Sequence, residues 1–220
     1  MAPRLSVALR QLVRLYSFPA CWRQANVTHI PKGPPSSSVA NYQPIFITSV
    51  LSKVFQRLVS VRLGRFMECS GGLRTTQIAY RKGLGTGDAH LFVSHRLQSA
   101  LESGQEDRIV KINFSAAFDR VNHLGIHYKL CSVGIGGSVL SMLIQFLSIR
   151  SQHVMVYGCR SKLANVVSGV PQGSVLGPLL FLLYTWELFS ILENKLIGYS
   201  DDSTLMAVVP SPISRTMHPH

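Results

Sequence analysis

Apolar positions along the chain fall into helical and strand periods, with loops between them. Leu5, Leu9, Leu12 and Leu15 lie near helical spacing and predict an amphipathic first helix. PKGPPSSS at residues 31–38 is too rich in Pro, Gly and Ser for regular structure, and residues 27–30 before it suit a short strand. Over residues 48–68, Leu51, Val54, Phe55, Leu58, Val59 and Leu63 form a stripe, which predicts a helix burying that face. RKGLGTGDAH then reads as a loop, with Asp88 as N-cap of a helix running to about residue 103. Residues 108–114, RIVKINF, are β-branched and bounded by polar turns, as in a strand. Helices are expected at 122–131 and 138–147, split by a glycine-rich turn. Residues 152–157 and 163–167 alternate around a turn, as do 196–200 and 203–209 around Asp201-Asp202, which predicts two hairpins. Mixed helices and antiparallel hairpins place the chain in the α+β class.

Residues 175–192 are the most apolar stretch, but Pro178 and Glu187 interrupt them. They fall short of the roughly 20 apolar residues a spanning helix needs, so a buried helix and no membrane partner are expected. Mean hydropathy is +0.21 over 220 residues. With 46% hydrophobic residues the chain can bury a core, which excludes wholesale disorder.

Charge changes this picture. Lys plus Arg number 22 against 10 acids, for a net charge of +12. Residues 1–67 hold nine Lys or Arg and no acid. Such a balance favours a polyanionic partner. The Arg-rich start also fits a transit peptide as well as an ordinary helix. Cys21, Cys69, Cys131 and Cys159 lie far apart with no CxxC pair, which argues against zinc and for a reduced, intracellular and unsecreted chain.

Few residues carry chemistry on their own. Asp201-Asp202 at a hairpin tip offers hard oxygen ligands for a divalent cation, although Asp is also an ordinary turn residue. The glycine-rich segment 82–87 lacks the Gly-Lys-Ser/Thr ending of a phosphate loop and reads as a flexible lead-in to a helix. His123 and His127 are four apart, but no third ligand is evident. Gln172-Gly173-Ser174 stands where a helix N-terminus could meet a phosphate or base, or where Ser174 simply caps the helix.

The order of five blocks is more informative: HIPKG…NYQPI, QIAYRKGLGT, INFSAAFDRV, SGVPQGSVLGPLLF and YSDD, across residues 29–202. In this order they resemble the reverse transcriptase domain of non-long-terminal-repeat retrotransposons, of the LINE-like and jockey-like branch. The resemblance implies polymerase fingers plus palm, the palm an antiparallel sheet backed by helices. It implies fingers over 1–105, palm over 106–209 and a chain that stops before the thumb, while the polar, Pro-rich residues 210–220 read as a disordered tail. RNA template, DNA primer and deoxynucleoside triphosphates are the implied partners, in the cytoplasm or nucleus. Two Mg2+ ions are the implied cofactor, with Asp201 and Asp202 as ligands.

By the same resemblance, Lys32 reaches the triphosphate, and Phe118 is the aromatic gate against a ribose 2′-hydroxyl. Gln172 and Gly173 lie by the incoming nucleotide, and Arg81 lies in the template-facing fingers; the basic charge adds Lys82 to the expected nucleic-acid-binding surface, with Tyr80 for stacking. Three positions depart from the pattern. Asn113 stands where the family has a metal-binding aspartate, Gln43 where it has an arginine, and Ser200 where it has an alanine. Asp119 survives, read as a cap or buttress of the next helix. The departures imply an impaired polymerase, and leave a non-catalytic nucleic-acid-binding module and a functionless translated relic as alternatives.

Overall fold

The computed structural model describes residues 2–34, 37–192 and 195–210. The expected tail at 210–220 lies outside them except for residue 210, which ends a strand instead, and residues 35 and 36 of the expected loop also lie outside them. In chain order the elements are α1 (Ala2–Leu15), β1 (Gln24–Pro31), β2 (Tyr42–Ile47), α2 (Val50–Cys69), α3 (Thr86–Glu102), β3 (Gln105–Asn113) and α4 (His123–Ser132). There follow α5 (Gly137–Leu147), β4 (Arg150–Val156), β5 (Cys159–Arg160), β6 (Ala164–Val166), α6 (Gly177–Ile191), β7 (Leu196–Tyr199) and β8 (Asp202–Pro210). The class is α+β, as the periodicity predicts. Among the described residues, no helix is long and apolar enough to cross a membrane.

The chain divides into two compact units. The first draws on residues 1–72 and 116–184. Its sheet runs β2-β1-β4-β5, with β6 also on β4. β1 is antiparallel to β2 but parallel to β4, from Gln24↔Ser151 to Val27↔Val154. Neither β2 nor this parallel pairing follows from local periodicity. Phe18 packs against Trp22, Phe55 and Phe146 with ring centroids 5.3–6.2 Å apart. Phe18, Phe55 and Phe146 are almost completely buried, which contributes about 1.5–3 kcal/mol for each.

Helix α2 does not bury the stripe its sequence predicts. Phe55 and Leu63 are buried, but so are Ser52 and Gln56, while Leu51, Val54 and Leu58 are exposed. Gln56 accounts for part of the rotation. Its Nε2 donates to Ser52 Oγ at 2.9 Å, and its Oε1 accepts the N–H groups of Val175 and Leu176 at 2.9 and 3.4 Å. Those two groups precede α6 and would otherwise be orphaned in the interior, where an unmade hydrogen bond costs about 1–3 kcal/mol.

The second unit draws on residues 73–115 and 185–220. Its antiparallel sheet runs β3-β8-β7. β3 pairs with β8 over nine positions, from Gln105↔Pro210 to Asn113↔Asp202. Ile78, Ile197 and Met206 form its core, with Ala89, Val93 and Leu97 of α3 packed on them. Arg96 Nε donates to the fully buried Asp107 carboxylate at 3.3 Å, which ties α3 to β3. Asp88 is not the N-cap. Gly85 is, and Asp88 sits three residues on, its Oδ2 accepting the Gly85 N–H at 2.7 Å. A carboxylate there still favours the positive end of the helix dipole.

Candidate functional site

In the second unit, the β7–β8 hairpin turns through Ser200 and Asp201, with Ser200 at φ +62°. The register sets Asn113, last in β3, directly opposite Asp202, first in β8. Directly opposed residues of an antiparallel pair share a face, with Cβ atoms about 4.5–5.5 Å apart. Asp201 lies one step further on, and its carbonyl accepts the Phe114 N–H at 3.4 Å. The sheet therefore brings Asn113 to the double-aspartate turn. Asp202 is its register partner, and Asp201 is bonded through the backbone to the next residue.

Tyr80 reaches the same turn. Its Oη lies 2.6 Å from Ser200 Oγ. This contact is absent from the sequence reading, and it gives Ser200 a role an alanine could not fill. Tyr80 sits at φ +61°, a left-handed conformation unusual for a residue with a bulky side chain. Arg81 is engaged by its own segment, its Nη1 donating to the carbonyls of Arg74 at 2.9 Å and Gln77 at 3.3 Å. Lys82 is exposed.

A separate cluster forms in the first unit. Gln43 Nε2 donates to Gln172 Oε1 at 3.2 Å, and Gln172 Nε2 donates to Asp119 Oδ2 at 3.5 Å. Lys32 lies near enough to lower the Asp119 pKa, but burial dominates and holds that carboxyl above its ordinary value of 3.8. The Gln172 carbonyl accepts the Phe46 N–H at 3.0 Å. Gly173, at φ +90°, allows this approach, since a Cβ there would stand 3.2 Å from the Phe46 carbonyl oxygen. Phe118 stacks on Phe181, centroids 4.5 Å apart and planes 17° from parallel.

The chain before Gln172 is held against the segment carrying Asp119. Gly169, at φ +86°, donates to the Val121 carbonyl at 2.7 Å, and a Cβ on it would lie 2.8 Å from the Asp119 backbone. His123 Nε2 lies 2.8 Å from the Gly169 carbonyl oxygen. Asp119 is not the cap of α4; Asn122 is, its Oδ1 accepting the Gly125 N–H at 3.1 Å. Sequence reasoning passed over Gly169, whose only local signal is a glycine flanked by Ser168 and Val170.

The Asp119 shift has a measurable consequence. Its folded pKa lies above the unfolded value, so the folded state binds the proton more readily. Stability contributed by this group is fully present below about pH 3.8 and is lost as pH rises through the folded pKa. Asp119→Asn keeps an acceptor for Gln172 and removes the buried charge. The urea midpoint of the variant is expected to exceed that of the unmodified chain at pH 7, with the difference vanishing near about pH 3. An unchanged or lower midpoint at pH 7 would mean that attraction to Lys32 outweighs burial.

Among the described residues, no group of three or more His, Cys, Asp or Glu comes together to hold a metal ion. Asp201 and Asp202 nevertheless suit magnesium, which takes hard oxygen ligands and is usually held by one or two carboxylates with substrate phosphate. Asn113 adds only a neutral carbonyl oxygen.

Known proteins resemble the chain in sequence and fold. It is 33% identical over 185 residues to the probable RNA-directed DNA polymerase from transposon X-element of Drosophila melanogaster, covering 84% of this chain and 20% of that protein. It is 28% identical over 222 residues to the RNA-directed DNA polymerase from mobile element jockey of the same organism, covering 96% and 24%. The chain thus spans about a fifth to a quarter of the length of the curated relatives it matches. Telomerase from Candida tropicalis, solved with a fragment of telomeric RNA, shares the fold with a TM-score of 0.61 at 10% identity, over 96% of this chain and 40% of that one. Telomerase from Candida albicans gives 0.60 at 14% identity, over 93% and 42%. Residues 30–218 match the reverse transcriptase (RNA-dependent DNA polymerase) family, and with the ordered blocks and the Asn113–Asp202 register already in place, the chain belongs to that family.

Proposed function

We propose that the chain is the fingers-and-palm part of an RNA-directed DNA polymerase of a mobile element, acting on an RNA template, a DNA primer and deoxynucleoside triphosphates. The observation that carries this reading is the β3–β8 register, which brings position 113 to the Asp201-Asp202 turn. Asp201 and Asp202 hold the divalent metal, two Mg2+ ions in the complete site. Bound there, the metal supplies Lewis-acid polarisation of phosphate and lowers the pKa of an attacking hydroxyl.

The protein's own groups bind and orient. Lys32 neutralises triphosphate charge, and Gln43 offers a neutral donor where an arginine would give a charged fork. Asp119 aligns the Gln172 amide through the hydrogen bond described above, and Gln172 with Gly173 borders the incoming nucleotide. The Phe118 ring, held by Phe181, excludes a ribose 2′-hydroxyl. Tyr80, with Arg81 and Lys82, lies along the template, Tyr80 also steadying the double-aspartate turn through Ser200.

Asn113 favours a second reading, a nucleic-acid-binding module that has lost the chemistry. Primer extension on an RNA template separates the two. Extension by the Asn113→Asp chain, abolished when Asp201→Ala is added, supports the polymerase. Hybrid binding with no extension by either the unmodified or the Asn113→Asp chain supports the binding module.

A further inference from the structure

Helices α1 and α2 and the turn between α4 and α5 enclose a half-open groove of about 820 Å³ in the first unit. Its floor is aliphatic, from Leu9, Val13, Leu63, Ile135 and Met142. Its rim carries Arg10, Arg14 and Arg62, all exposed. A second cavity of about 480 Å³ shares Arg62 and Phe66 and continues to Val61 and Arg65. None of these residues belongs to either cluster described above.

The groove takes in Leu58 of the α2 stripe that the fold leaves uncovered, and the second cavity takes in Val61. Leu51, Val54, Leu58 and Val61 follow one another at helical spacing, and all four are exposed. Leu58 is 48% exposed, Val61 52% and Phe66 42%. Scattered exposed apolar residues need no explanation, but a contiguous apolar surface with a charged rim marks an interaction site.

The rim charge selects the occupant. Residues 1–67 carry nine Lys or Arg and no acid. A second copy presenting the same face would set like charges together, which costs several kcal/mol across an interface. Single-stranded nucleic acid stacks its bases on successive aromatic platforms, whereas aliphatic side chains outnumber the two aromatics of this lining, Tyr16 and Phe66. An α-helix with an apolar stripe and carboxylates on its flanks meets both the floor and the rim.

We propose that this groove docks an acidic amphipathic helix of a partner protein, with its apolar stripe on the floor and its carboxylates against Arg10, Arg14 and Arg62. The proposal is independent of the polymerase reading, because it uses neither Asp201 nor the Gln172 cluster.

The test uses the 220-residue chain and a fluorescent helical probe peptide of about 18 residues, roughly five turns. The probe has leucines at i, i+3, i+4 and i+7 spacing and glutamates elsewhere. A scrambled peptide of equal composition is the control. The amphipathic probe is expected to bind at least about tenfold tighter than the scrambled one by fluorescence anisotropy. Charge reversal with Arg14→Glu and Arg62→Glu together weakens binding by about tenfold or more, and a probe with lysines replacing the glutamates restores it. That restoration also shows that the variant is folded.

Equal binding of amphipathic and scrambled probes overturns the proposal. So does a loss on charge reversal that the lysine probe does not recover. Displacement of the probe by single-stranded RNA assigns the groove to nucleic acid, and concentration-dependent dimerisation that the probe cannot displace assigns it to a second copy; either result overturns the proposal.

Discussion

Affinity of this chain for an RNA–DNA hybrid is expected to fall by about 10³–10⁵ between roughly 50 and 200 mM salt. Each phosphate neutralised by a Lys or Arg releases condensed counterions, so the logarithm of affinity falls linearly with the logarithm of salt. A fall of that size corresponds to about six to ten neutralised phosphates. The net charge of +12 and the acid-free residues 1–67 supply enough cations. Anisotropy titrations at four or five salt concentrations give the slope. A flat line would show that the basic charge serves only to keep an apolar chain dissolved.

Single substitutions sharpen the result. Lys82 is exposed, so Lys82→Ala should lower the slope by about one if it meets a phosphate. Arg81 differs, because its guanidinium holds the carbonyls of Arg74 and Gln77. Arg81→Ala is therefore expected to reduce thermal stability as well as binding, whereas Lys82→Ala leaves stability within about 0.5 kcal/mol.

Replacing Asn113 by aspartate is expected to raise primer extension by about 10²–10³-fold, equivalent to roughly 3–4 kcal/mol of preorganised electrostatic stabilisation. An aspartate would bring two anionic oxygens to the face shared with Asp202, where the asparagine brings one neutral oxygen and an NH₂ donor that repels a cation. The substitution is nearly isosteric at an exposed strand end, so the fold should hardly change. Magnesium affinity should rise together with rate, and Asp201→Ala on the same background should remove both gains. Gln43, neutral where the related pattern has arginine, should limit the recovery by weakening triphosphate binding. Gln43→Arg combined with Asn113→Asp should accordingly lower KM for the nucleotide more than it raises kcat. Robust extension by the unmodified chain, abolished by Asp201→Ala, would show that the asparagine is no obstacle.

Much of the local structure was legible because periodicity records it directly. The alternation on either side of Asp201-Asp202 specifies a hairpin, and it forms with a two-residue turn. The β-branched run near residue 110 specifies a strand, and β3 occupies it. The run at 175–192 specifies a buried helix, and α6 is buried over most of its first half. The ordered blocks also carried the family, since they run across the residues 30–218 that match it.

Helix α2 shows where such reading ends. Its apolar pattern fits two faces, and local spacing cannot choose between them. The choice followed in part from Gln56, whose amide serves two backbone groups more than a hundred residues away. Burying the face with Gln56 left Leu51, Val54 and Leu58 at the surface.

By itself, then, the sequence determined most of the elements, though not β2, together with their order, the basic charge and the family, since each depends on residue type and near-neighbour spacing. Only the tertiary structure decided the parallel β1–β4 pair, the Asn113↔Asp202 register, the Tyr80–Ser200 contact and the alignment of Gln43, Gln172 and Asp119. These join residues tens to more than a hundred positions apart. Their selection rests on completing buried hydrogen bonds and packing side chains from distant segments, and neither leaves a period in the local sequence.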